Sequence, residues 1–166
     1  HRLGMVHQHF MLVENLTVTE NIILGEEPSK AGFISYKEAI KKVQELSNKF
    51  QLEIDPLEKI ENLSVVLQQR VEILKALYRK ANILILDEPT AVLTPQEVEK
   101  LFTVVKSLVN NGVSVIIITH KLEEVLEVAD RVYILRRGKV VGEKKTSGVS
   151  KNELANLMVG RDVVLT

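Results

Sequence analysis

The spacing of apolar positions divides the chain into a largely helical first half and a second half in which short apolar runs alternate with helical patterns. Residues 3 to 7 (LGMVH) read as a short buried strand that ends at Gln8. From Asn15 the spacing turns helical, with Thr19 the predicted cap of a short helix through Leu24 that Gly25 stops. A loop containing Pro28 and Gly32 comes next. Ser35 is predicted to open the next helix through a capping box with Glu38, and Ala39, Val43, Leu46 and Phe50 recur on one face opposite a Lys-rich one. Beyond the Asp55-Pro56 break, Ser64 is placed to cap a long helix to about Lys80, with Val71, Leu74 and Leu77 on one side.

At Asn82 the period changes. ILILD (83 to 87) is a continuous apolar run of strand length, which predicts a parallel strand covered on both faces. Thr94-Pro95-Gln96-Glu97 combines a capping box with Pro at the first helical position, and Gly112 ends that helix after Asn111. VSVIIIT (113 to 119) predicts a second buried strand ending at Thr119-His120. A short helix over Leu122 to Ala129 leads to RVYILRRGKVVGEKK, with Arg137-Gly138 as the turn between two strands. The last helix starts at Ser150, where Glu153 completes a capping box, and stops at Gly160. Strand, helix, strand, helix, strand from residue 82 to 137 predicts a parallel α/β sheet preceded by a helical block.

Composition narrows the function classes. At 166 residues and 45% apolar content the chain can bury a core, and 22 basic residues against 22 acidic ones leave no net charge to draw a nucleic acid. The cluster Arg131, Arg136, Arg137, Lys139, Lys144 and Lys145 reads as a solvated hairpin. Zero Cys removes thiolate metal sites and thiol nucleophiles. His1, His7 and His9 alternate like metal ligands but have no acidic or Cys partner in the sequence around them. No apolar run approaches the roughly 20 residues that span a bilayer. The chain opens at His1 with neither an initiator Met nor a basic-then-apolar leader, so its start is expected to be a fragment boundary.

In open parallel sheets functional groups gather at the carboxyl ends of strands, and that rule isolates Gln8, Asp87-Glu88 and His120. Alone, an Asp-Glu pair reads as a loop start with a solvated charge, and a single His or Gln says less. Paired, one acid can hold a metal through water while its neighbour faces another reactant.

The ordered constellation carries more. GMVHQ resembles a glutamine loop, NLSVVLQQRVEILKAL a signature motif with its helix, ILILDEPTAVLT a Walker B strand with the D-loop, and IIITHK a histidine loop. In this order they resemble the ATP-binding cassette of an ABC transporter. HQHFMLVENLTVTENIILGEEP, the LSV opening of the signature and ELANLMVGRDV resemble the first cassette of tandem ATPases that energise bacterial uptake of simple sugars or nucleosides. The resemblance implies an α/β fold of the P-loop NTPase kind, with a parallel sheet core and an α-helical subdomain. Residues 1–10 would hold the core strand and glutamine loop, 11–79 the helical subdomain, 80–147 the second half of the catalytic core, and 148–166 a C-terminal helix and linker.

By the same resemblance, ATP and Mg²⁺ are the implied substrate and cofactor. Asp87, with Gln8, would bind Mg²⁺ through water, and Glu88 would act as general base. Gln8 would sense the γ-phosphate, and His120 would hydrogen-bond it as charge develops. Ser64, Val66 and Gln68 would face a nucleotide held by the opposite cassette. The implied partners are a second cassette, membrane-spanning permease subunits and, through them, a solute-binding protein. The implied location is the cytoplasmic face of the inner membrane.

The chain departs from the family pattern in two places. No G-x-x-x-x-G-K-[ST] phosphate cradle occurs: Gly138-Lys139 is followed by Val140 and has Tyr133 where the first Gly belongs. In the family that motif lies upstream of the glutamine loop, so it is expected before His1, and the chain alone is expected to be inactive. The signature reads LSVVL, with Val66 in place of its second glycine and Leu67 in place of a polar residue. A Val there is expected to obstruct the approach of backbone amides to phosphate. Two other readings stay open: a non-transport ABC ATPase of DNA repair or translation, and a catalytically inert cassette that only completes a partner's site.

Overall fold

Three apolar runs of strand length pair in parallel: β1 (Leu3–Val6), β2 (Ile83–Asp87) and β3 (Ser114–Ile118), in spatial order β1-β2-β3. The computed structural model describes residues 2–24 and 35–160. The predicted Gly25 stop, the loop with Pro28 and Gly32, and His1 lie outside the described residues. Register places Gly4, Leu84 and Val115 side by side, then Val6, Leu86 and Ile117, so these six residues share one face of the sheet. Val6, Leu84 and Leu86 are almost wholly buried there. The opposite face is open: Leu3 is 64% exposed, Ile116 50% and Ile118 46%. The expectation of strands covered on both faces is therefore corrected. Among the described residues only one face of the sheet is shielded, although Leu3, Ile116 and Ile118 on the other are apolar.

The covered side is built from helices with well-formed starts. Helix α1 spans Val18–Ile23 and α2 spans Tyr36–Lys49; α3 (Val65–Tyr78) and α4 (Pro95–Asn110) reach the sheet, α3 against β1 and α4 against β3. Thr17, not Thr19, caps α1. Its hydroxyl accepts from the Glu20 amide, the Glu20 carboxylate accepts from the Thr17 amide, and Thr19 is buried and donates to the Pro56 carbonyl at 2.8 Å. Ser35 occupies the cap position of α2, but its hydroxyl makes no cap hydrogen bond, so the predicted box with Glu38 does not form. Ala39, Val43 and Phe50 are buried as their spacing predicts, while Leu46 is half-buried. Ser64 caps α3 by accepting from the Leu67 amide, and the Thr94–Glu97 box with Pro95 opens α4.

Glycine is required where α3 meets the sheet. A Cβ on Gly4 would stand 2.8 Å from the Ala76 Cβ and 3.1 Å from the Ala81 Cβ. Two small residues and a glycine thus set how closely α3 approaches β1.

The described residues through Ile118 form one compact unit, and those from Thr119 onward form another. The second unit contains α5 (Leu122–Val128), a hairpin of β4 (Arg131–Arg136) and β5 (Lys139–Lys145), and α6 (Lys151–Val159). The strand predicted over 131 to 136 does not extend the parallel sheet. It pairs antiparallel with β5, because Arg137 and Gly138 at φ 50° and 74° form a two-residue turn that returns the chain directly. The basic hairpin is solvated and paired with acids: Arg131 lies 3.6 Å from Glu143, and Lys144 lies 3.9 Å from Glu153. Helix α6 starts on the Ser150–Glu153 box and ends at Gly160, in left-handed conformation.

Candidate functional site

Parallel register brings the carboxyl ends of β1 and β2 side by side, with Val6 opposite Leu86. The residues just past the two strands are therefore neighbours in space: His7-Gln8 after β1, and Glu88 after Asp87, the last residue of β2. Gln8, Asp87 and Glu88 line one cleft together with Val6, Val65 and Gln69. Gln8 is exposed, whereas Asp87 and Glu88 are half-buried. Glu88 has φ of +45°, and its amide donates to the Ile118 carbonyl at 2.9 Å. A left-handed backbone at a residue with a side chain costs energy, and here it turns the second carboxylate out of the strand direction that Asp87 still follows. Two adjacent acids are thereby given different directions.

The loop after Glu88 is tied down. The Ala91 amide donates to the Glu88 carbonyl at 3.2 Å, and the Leu93 amide to the Thr90 carbonyl at 3.2 Å. Pro89 and Thr90 are buried. Gln69, in the first half of α3 and 4% exposed, donates its side-chain amide to the Pro89 carbonyl at 2.7 Å.

The signature residues sit at the start of α3. Ser64 and Val66 line a separate groove with Leu67, Arg70, Glu97 and Lys100. The Ser64 hydroxyl serves as the helix cap, and Val66 is half-buried. The Gln68 side chain turns back on its own helix start and donates to the Leu63 carbonyl at 3.1 Å. His120 is exposed and belongs to the second unit. No group of three His, Cys, Asp or Glu residues among the described residues is arranged to hold a metal ion, so His7 and His9 are not members of such a group.

Three polar residues of this unit escaped sequence reasoning. Gln69 and Glu72 stand three apart on α3 and are both buried. One Glu72 oxygen is buried with no hydrogen-bond partner, and burial pushes this carboxyl above its ordinary value. Asn21 in α1 grips Val13 from both sides, accepting from its amide at 2.7 Å and donating to its carbonyl at 3.0 Å. Residues 69 to 74 are all buried, so α3 has no solvent face there and its polar members need internal partners.

Residues 1–91 match the family model described as ABC transporter. The chain belongs to the ABC transporter family. Among curated ABC relatives, the nucleoside import ATP-binding protein NupA of Lactococcus lactis subsp. cremoris is 54% identical over 161 residues, 97% of this chain and 32% of that protein. The xylose import ATP-binding protein XylG of Thermoanaerobacter pseudethanolicus is 44% identical over 97% of this chain and 32% of its own length. The chain thus spans about a third of the length of the curated relatives it matches. Among solved structures, the dimeric post-hydrolysis state of the ATP-binding cassette MJ0796 bound to ADP and Pi aligns with TM-score 0.70 and 31% identity. That alignment covers 89% of this chain and 64% of the other. The α/β fold of this chain is that of an ABC ATPase cassette.

Proposed function

We propose that this chain is part of the ATP-binding, ATP-hydrolysing subunit of an importer for nucleosides or simple sugars. The observation that carries the reading is the cleft at the ends of β1 and β2 that gathers Gln8, Asp87 and Glu88. The donor set fits the implied cation: a carboxylate and an amide oxygen suit Mg²⁺, which keeps waters and takes few protein ligands. Bound there, Mg²⁺ would neutralise charge on the phosphates. Glu88, turned away from Asp87 by its backbone, orients the attacking water and accepts its proton. Gln8 reports the γ-phosphate to the helices that come after it. The chain's 166 residues contain no Gly-rich phosphate cradle, so on this reading another part of the protein supplies one.

The domain reading runs along the same lines, with 1–10 and 80–147 contributing the catalytic core, 11–79 the helical subdomain and 148–166 a closing helix and linker. Partners on this reading are a second cassette and permease subunits, with a solute-binding protein acting through the latter. No helix among the described residues is long and apolar enough to cross a membrane, so attachment to the inner face of the membrane runs through those subunits. Relatives named for import of nucleosides and xylose support transport as the process, and 54% identity against 44% makes nucleosides the first solutes to test. Full-length protein should hydrolyse Mg-ATP and lose turnover on Glu88→Gln. Cells lacking the gene should fail to take up labelled nucleosides, and undiminished uptake of both nucleosides and pentoses removes the transport role.

One observation favours a second reading. Val66 and Leu67 fill the helix start where an anion would need free amides, which fits a cassette whose signature contributes little to the opposite nucleotide. Val66→Gly separates the two, since restored turnover at the paired site marks the signature as weakened by that side chain.

A further inference from the structure

Helix α4 runs out on Asn110-Asn111-Gly112, exposed at the surface between the buried Leu108 and Val113. Asn is among the chemically labile residues, and an Asn followed by Gly is its least hindered setting, because Gly has no Cβ to crowd the backbone nitrogen that attacks the Asn side chain. The space around Gly112 is open as well: a Cβ there would meet nothing within 4 Å. Both reacting groups are nevertheless tied. The Asn111 side-chain amide donates to the Ser107 carbonyl at 2.8 Å, and the Gly112 amide donates to the Val109 carbonyl at 3.0 Å. Both carbonyls belong to the last turn of α4, where internal donors run out. The Asn111 backbone, at φ −96° and ψ 16°, stays near the helical region. Ring closure needs the Asn111 Cβ and the Gly112 nitrogen nearly eclipsed about the Cα–C bond, and at this ψ they stand far apart.

We infer that Asn111-Gly112 is a latent deamidation site that the C-terminal cap of α4 keeps closed. When the cap opens, the Gly112 nitrogen gives its proton to solvent base and bonds to the side-chain carbonyl carbon of Asn111. The side-chain nitrogen leaves as ammonia, and a five-membered imide remains. Water then opens the ring at either carbonyl, to give aspartate or isoaspartate at position 111. Neither product rebuilds the cap. An aspartate has no N–H for the Ser107 carbonyl, and it places negative charge at the negative end of the helix dipole. Isoaspartate adds a carbon to the backbone just ahead of β3, whose first residue, Ser114, donates its amide to the Asn82 carbonyl at 3.0 Å. Deamidation therefore favours the open cap that permits it.

The test ages full-length protein at mildly alkaline pH, folded and in denaturant, and digests it with trypsin, which releases residues 107–121 with both Asn110 and Asn111. Fragment mass spectra then locate the conversion. In denaturant Asn111 should convert to a mixture of aspartate and isoaspartate ahead of Asn110. Folded protein should convert at least about tenfold more slowly, because only the opened cap reacts. Asn111→Asp, made directly in the full-length protein, should raise hydrogen exchange at the Gly112 and Val113 amides about fivefold, from the lost side-chain bond and the added charge, with Leu84 to Leu86 unchanged as the sign of an intact fold. Equal conversion in folded and denatured protein overturns the closed cap. Conversion absent at Asn111 in denaturant overturns the site itself, and unchanged exchange in Asn111→Asp overturns the part its side chain plays in holding the cap.

Discussion

Two stretches of this chain face phosphate on the proposed reading, and they are built in opposite ways. The loop at Asp87-Glu88 is anchored from below by the buried Gln69 of α3, and Glu88 keeps a costly left-handed backbone. The helix start at Ser64 to Gln68 is half-exposed, its Ser spent on capping and its glycine positions filled by Val65 and Val66. Within one helix, then, the body is constrained and the tip is altered. On the proposed reading, the contrast teaches that the site built from this chain's own carboxylates has been kept in form, while the surface it would offer to a second cassette has not.

The anchored loop is challenged most sharply at Glu88. Glu88→Gln should lower ATP turnover of the full-length protein by about a hundredfold or more, because a general base contributes at least that much. Binding of Mg-ATP should persist, and equal turnover in the two proteins assigns the base elsewhere. Gly4→Ala tests the anchored body. A methyl placed 2.8 Å from the Ala76 Cβ must push α3 from β1, at about 2 kcal/mol by analogy with other overpacked cores. Chemical denaturation reads that loss, and an unchanged midpoint means the contact yields freely. Val66→Gly tests the altered tip. Turnover at the paired site should rise by up to about tenfold, an effect of about 1.4 kcal/mol, and no gain assigns the weakness to Leu67 or to neither.

The smallest effect is in pH dependence. Burial raises the Glu72 carboxyl above its usual value, against the lowering pull of Lys75, the Met11 amide, His7 and Arg79. A raised acid holds its proton longer folded than unfolded, so its stabilising contribution is full below the ordinary value of 4.5 and is lost as pH rises through the folded value. Melting temperature measured against pH should therefore fall more over that window in the parent than in Glu72→Gln. Parallel curves would show that this carboxyl titrates alike in both states.

Much of the fold was legible in the sequence because its signals are local. The Thr94–Glu97 and Ser150–Glu153 boxes, the Arg137-Gly138 turn and the apolar runs of β2 and β3 each name their own structure within a few residues. Thr17 and Thr19 show the limit of that. Both can cap, and the choice falls to Thr17 because Glu20 stands three residues after it, while Thr19 finds its partner in distant Pro56. Burial of the sheet misled for a different reason. An apolar run states that both faces avoid water, but not which part of the protein covers them, and Ile116 and Ile118 remain open among the described residues. Likewise β4 has the composition of a central strand, yet its tight turn commits it to β5. Gln8, Asp87 and Glu88 could be found because strand ends mark them. Gln69 could not, because its partner lies 20 residues away along the chain, and nor could Glu72, whose burial follows from the packing of α3.

The contact between Gly4 and Ala76 has an evolutionary reading. Two positions 72 residues apart share a volume that admits no further carbon atom. In other members of the family the sizes of these two residues should be anticorrelated: a larger residue at position 4 requires a smaller one at 76, or a helix set farther from the strand. The spacing of one helix from one strand would then be inherited as a linked set of residues.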